Sequence, residues 1–184
     1  GGGLDYQMAR IYYNRGSAYL MKNRLDSALI DFNTAISLDP NYPPAFFNRA
    51  ILQSRVGETQ KAIDDYSRSV TLDSDYAKAF NNRGVIYKNR GLLDSALADF
   101  DNAAKAQADF APTYFNRGLV LSMCGKLDMA INDFSSFITL SPKNPDGYYN
   151  RGVVYNRMKE NDKAISDFNQ ALSFNPSFGP IYLD

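Results

Sequence analysis

Histidine and tryptophan are absent from this sequence, and its only cysteine is Cys124. Without histidine, the commonest general base and the commonest metal ligand are missing. One cysteine excludes a disulfide within the chain and a thiolate metal cage. Excess charge of either sign is missing too: Lys+Arg is 20 and Asp+Glu is 20. That balance does not point to a nucleic-acid backbone or to an anionic membrane. No apolar run approaches the roughly 20 residues that span a bilayer, so membrane insertion is not expected. The chain carries no acid–base pair, metal cluster or phosphate loop, and neither catalysis nor a cofactor is expected of it. What it does have is 184 residues with an apolar fraction of 45%, enough for a packed core.

The chain repeats itself. Asn14-Arg15-Gly16 returns as Asn82-Arg83-Gly84, Asn116-Arg117-Gly118 and Asn150-Arg151-Gly152, with Asn48-Arg49-Ala50 between the first two. Each step is 34 residues, without insertion or deletion, and five repeats fit end to end: 9–42, 43–76, 77–110, 111–144 and 145–178. Within a repeat, position 4 is Tyr12, Phe46, Phe80, Tyr114 and Tyr148. Position 20 is Ala28, Ala62, Ala96, Ala130 and Ala164, and position 24 is Phe32, Tyr66, Phe100, Phe134 and Phe168. Position 27 is small except for Phe137, and position 32 is proline in three repeats: Pro40, Pro142 and Pro176.

Apolar and small residues at positions 3, 4, 8, 10 and 11, then at 17, 20, 21, 24, 27 and 28, have helical spacing. The spacing predicts two helices per repeat. Gly57, Gly91 and Gly125 at position 15 suit the left-handed residue that ends a helix. Acids at position 18 (Asp26, Asp94, Asp128, Asp162) are expected to cap the second helix. The position-32 prolines are expected to stop it. Glycine at position 8 is unfavourable in a helix by about 1 kcal/mol relative to alanine, so its recurrence implies close helix approach. Residues 1–8 are expected to be a flexible lead or the remnant of a preceding repeat, with Leu4-Asp5 at its positions 30 and 31. Residues 179–184 are expected to start a further helix, with Ile181-Tyr182 at positions 3 and 4. The sequence is therefore expected to be part of a longer array.

This pattern resembles the tetratricopeptide repeat family across residues 9–178, and its Asn-Arg-Gly variety is similar to bacterial members. One departure is arginine at position 7, where the family usually has leucine. The resemblance implies an all-α, right-handed superhelical solenoid of five helix-turn-helix repeats. It also implies a concave groove lined by the first helices, which holds an extended peptide or a partner's helix.

Positions 2, 5, 6, 9, 12 and 13 share one stripe of the first helix, which by the resemblance faces the groove. Position 6 is always asparagine: Asn14, Asn48, Asn82, Asn116 and Asn150. Asparagine is a mediocre helix former, so five mid-helix copies need a reason. An amide offers a donor and an acceptor, as a peptide backbone does, and a ladder of them would hold an extended chain. The other reading is that each amide bonds to a neighbouring helix or to water. Position 5 adds Tyr13, Phe47, Asn81, Phe115 and Tyr149, which either face the groove or pack on a neighbour. Position 7 (Arg15, Arg49, Arg83, Arg117, Arg151) and position 23 (Asp31, Asp65, Asp99, Asp133, Asp167) are expected to form ion pairs, one to one. Arg10, Lys78, Lys88, Arg55 and Arg157 are scattered over the groove positions and make only an incomplete carboxylate clamp. Cys124 is a spectator, since no histidine is there to activate it.

The expected function is a scaffold binding another protein or an extended peptide. Two alternatives stand beside it: the substrate-recruiting part of a larger enzyme such as a glycosyltransferase, and self-association through the end repeats.

Overall fold

The computed structural model describes residues 2–177, and the expectation for 179–184 lies outside them. Among the described residues there are ten helices and no strand. The first and second helices of successive repeats alternate: α1 (Gly2–Met21), α2 (Leu25–Leu38), α3 (Pro43–Arg55), α4 (Thr59–Leu72), α5 (Ala77–Asn89), α6 (Leu93–Ala106), α7 (Ala111–Met123), α8 (Leu127–Leu140), α9 (Pro145–Arg157) and α10 (Asn161–Phe174). None of these is long and apolar enough to cross a membrane.

The chain divides into two compact halves, 1–86 and 87–184, with the boundary inside α5. In the N-terminal half α1 packs on α2, α3 on α4, and α2 on α3. In the C-terminal half α7 packs on α8, α9 on α10, α6 on α7, and α8 on α9. The position-20 alanines are buried, as are Phe32, Phe100 and Phe134 at position 24. Position 8 lies against the position-24 ring of its own repeat. A Cβ added to Gly16, Gly118 or Gly152 would come within 2.9, 2.9 or 2.8 Å of the Phe32, Phe134 or Phe168 ring. That contact is the close approach which the recurring glycine implies.

Position 15 is left-handed in every repeat: Asn23 (φ 56°), Gly57 (81°), Gly91 (74°), Gly125 (73°) and Lys159 (63°). The next residue closes the helix end by bonding back five residues, as in Glu58 N–H to Gln53 O at 2.8 Å and Lys126 N–H to Leu121 O at 2.9 Å. Asn23 and Lys159 adopt this conformation although they carry a Cβ.

Three expectations need correction. The position-18 acids do not cap. The second helices begin one residue earlier, and the N-cap residues Arg24, Leu92, Lys126 and Glu160 make no side-chain cap bond. Asp26, Asp94, Asp128 and Asp162 stand in the first turn, where a negative charge favours the helix dipole. Nor is proline what ends the second helix. Helices α4 and α6 stop at position 30 without it, as α2, α8 and α10 do with it. Position 31 turns extended instead, and Asp39, Asp73 and Asn175 each accept the N–H two residues on, at 3.0–3.1 Å. These side chains offer the backbone an alternative to the next helical bond. Finally, Gly2 and Gly3 are helical rather than a loose lead.

Candidate functional site

In four repeats the arginine of position 7 and the aspartate of position 23 come together across the two helices. Arg15 Nε and Nη2 each donate to Asp31 at 2.7 Å. The same two-point fork joins Arg49 to Asp65 (2.6 and 2.8 Å), Arg117 to Asp133 (2.7 and 2.8 Å) and Arg151 to Asp167 (2.8 Å twice). All five aspartates, Asp99 included, are buried. Hydrogen bonds to Asp133 and Asp167 hold the Arg117 and Arg151 guanidinium pKa above its already high range. Planar, bidentate geometry of this kind is the strong form of ion pair.

Nη1 of four of these arginines reaches the preceding repeat. Arg49 Nη1 donates to Asn33 (2.7 Å), Arg83 to Ser67 (2.9 Å), Arg117 to Asp101 (2.9 Å) and Arg151 to Ser135 (2.9 Å). All four acceptors are position 25. Its uniform polarity, as Asn33, Ser67, Asp101, Ser135 and Asn169, is the available signal. Each guanidinium also lies over the position-4 ring of its own helix, 5.4–6.0 Å from the centroid. One side chain thus ties together two helices and the repeat before it, and is occupied in doing so.

The position-6 amides are engaged in several ways. Asn48 Nδ2 donates to Ser17 Oγ of the preceding repeat at 2.8 Å, and Asn82 Nδ2 to Tyr66 OH at 3.3 Å. Asn150 Nδ2 donates to its own helix, at Asp146 O, 2.8 Å. Asn14 is exposed, and Asn116 is half-buried and also has a partner.

At position 5, where the sequence left groove-facing and packing both open, the side chains pack. Phe47 and Asn81 are buried, and Tyr13, Phe115 and Tyr149 are half-buried. The rings lie on the position-24 ring of their own repeat: Tyr13 on Phe32 (6.4 Å), Phe47 on Tyr66 (5.8 Å), Phe115 on Phe134 (6.0 Å) and Tyr149 on Phe168 (5.9 Å). The reason is helical geometry. Position 5 is one turn before position 8, and i, i+3 neighbours share a face. Since glycine at position 8 meets the ring at 24, so must the residue at 5.

Positions 6, 9, 12 and 13 do line open space. In the C-terminal half a hollow of about 280 Å³ is bounded by Lys88, Asn89, Leu119, Ser122, Met123, Phe134, Asn150 and Val153. Apolar walls and convergent polar groups are the usual makings of a recognition site. Two similar clefts, of about 350 and 380 Å³, lie between successive second helices. One includes Leu97, Asp101 and Met129, and the other Leu29, Asn33 and Lys61. The scattered cations are partly used within the fold. Arg10 donates to Tyr6 OH at 2.8 Å, while Arg55 and Arg157 reach the carbonyls of Leu20 (3.3 Å) and Ser122 (2.9 Å). A cation suits the carbonyl end of a helix. Cys124 is exposed.

Family models described as "Tetratricopeptide repeat" match residues 9–42 and 145–178, 77–110 and 111–144, and 32–64. No curated protein matches the sequence. Solved structures do. The MamA protein superposes with a TM-score of 0.80 at 22% identity, over 95% of this chain and 98% of its own. PilF of Pseudomonas aeruginosa gives 0.83 at 19% identity, over 96% and 79%. YrrB, described as a TPR protein with an unusual peptide-binding site, gives 0.76 at 22% identity, over 90% and 86%. At these identities the likeness speaks for the fold, an all-α helical repeat solenoid. With the family models spread from residue 9 to residue 178, the chain belongs to the tetratricopeptide repeat family.

Proposed function

We propose that this chain is a protein-interaction scaffold that holds an extended segment of another polypeptide against the first helices. The observation that carries the reading is the hollow between α7 and α9, where the stripe at positions 6, 9, 12 and 13 borders open space. Leu119, Met123 and Val153 supply apolar area there, and Asn150 and Ser122 supply polar groups. Asn48 and Asn150 each commit one amide N–H inside the fold, and the other N–H and the oxygen serve the segment's backbone. A hydrogen bond contributes about 0.5–1.5 kcal/mol net, so an asparagine ladder alone would bind weakly. The apolar walls supply the rest.

The test compares the wild-type chain with a variant carrying Asn48→Ala, Asn116→Ala and Asn150→Ala, each immobilised and exposed to an array of extended peptides. Peptides retained by the wild type are expected to be lost from the variant, with the helical circular-dichroism signal unchanged. Equal retention on both would sink the reading.

A further inference from the structure

The charges around the hollow are one-sided. Lys88 lines its edge, and no acid does. Arg157 donates to Ser122, another lining residue, through the carbonyl (2.9 Å) and through Oγ (2.6 Å). Both acceptors are neutral, so the arginine keeps its full charge beside the hollow. The carbonyl end of α7 offsets only about half a charge. The acid on the same stripe of α9, Asp146, precedes Arg157 by eleven residues, about 16 Å along the helix axis. The stripe of α9 is therefore positive at its C-terminal end, beside Ser122, and negative at its N-terminal end.

We propose that this hollow seats an apolar side chain belonging to an acidic segment of the partner. The proposal rests on the groove reading above and adds the chemistry of the occupant. A leucine-like or aromatic side chain enters against Leu119, Met123 and Val153. A carboxylate one or two residues further on lies against Lys88 and Arg157. The buried side chain provides the contact area, and the charge pair sets direction and selects acidic over basic sequences.

The full chain is titrated against three fluorescein-labelled peptides that differ at the centre. They are Gly-Ser-Gly-Leu-Asp-Glu-Gly-Ser-Gly, the same peptide with Leu-Lys-Lys, and the same with Ala-Asp-Glu. The Leu-Asp-Glu peptide is expected to bind about tenfold more tightly than the Leu-Lys-Lys peptide at low salt, since each exposed pair contributes modestly. The gap is expected to narrow at about 0.5 M salt and to vanish in Lys88→Glu, which leaves the Arg157 charge balanced by one carboxylate. Equal binding of the acidic and basic peptides would overturn the charge assignment and leave the groove reading standing. Equal binding of the Leu and Ala peptides would overturn the apolar seat. Binding of none of the three would remove this proposal and the groove reading together.

Discussion

Phe137 and Gly147 fit one another. Phe137 fills position 27, which is small in every other repeat, and Gly147 fills position 3 of the repeat that follows. A Cβ on Gly147 would stand 2.7 Å from Phe137 Cδ1 and 2.8 Å from Ile138 Cγ1. The large residue is accommodated because its neighbour across the helix pair has no side chain. In an open helix Gly147→Ala would stabilise by about 1 kcal/mol. Here overpacking of roughly 1–3 kcal/mol opposes that gain. Gly147→Ala is therefore expected to lower stability in urea denaturation, and to lower it less in a Phe137→Ala background, where only the Ile138 contact remains. An equal loss in both backgrounds would show that the two residues are not coupled.

The Arg117–Asp133 fork is expected to matter more than the Arg117–Asp101 pair. The Asp133 side chain is 8% exposed and that of Asp101 is 55% exposed. Losing one partner of a buried pair typically costs about 3–5 kcal/mol. Arg117 still reaches water, so Asp133→Asn is expected at about 2–3 kcal/mol, below that range. Asp101→Asn is expected at about 1 kcal/mol or less, as at an exposed pair. Denaturant midpoints for the two variants decide it, and comparable losses would contradict the burial argument.

Lys159 occupies the left-handed position held by glycine in the three middle repeats. A side chain there is strained by roughly 1–2 kcal/mol. Part of any gain on removing it is returned through the greater freedom of glycine in the unfolded chain. Lys159→Gly is expected to stabilise by about 0.5–1 kcal/mol, and thermal unfolding would register it as a higher midpoint.

Burial pushes the Tyr76 phenol pKa above its ordinary value of 10.0, and Tyr66 is raised for the same reason. The folded state then holds its phenol protons where the unfolded chain releases them. Below about pH 10 both states are neutral at these groups, and their contribution is complete. As pH rises past the unfolded value, stability falls until the folded value is passed. Tyr76→Phe is expected to flatten the fall in stability of the wild type above about pH 10. An unchanged slope would mean that the phenol is not held in a dry site.

Much of the fold was legible in the sequence, because its causes are local. Ten helices follow from a 3.6-residue periodicity repeated every 34 residues. The turn at position 15 follows from glycine in the middle repeats, and the Arg–Asp fork from two residue types that recur together. Pro40, Pro142 and Pro176 are not what ends the second helices. A side chain bonding its own backbone at Asp39, Asp73 and Asn175 leaves no periodic trace.

Sequence by itself determined where the helices lie and which residues recur at equivalent places, since helical periodicity and the handedness of a turn depend on near neighbours. Only the tertiary structure decided what the first helix presents. It turned Phe47 and Phe115 onto Tyr66 and Phe134, matched Phe137 with Gly147, and left a hollow beside Asn150. Those outcomes depend on how side chains from different helices fill a shared volume, and that volume is set by residues distant in the chain.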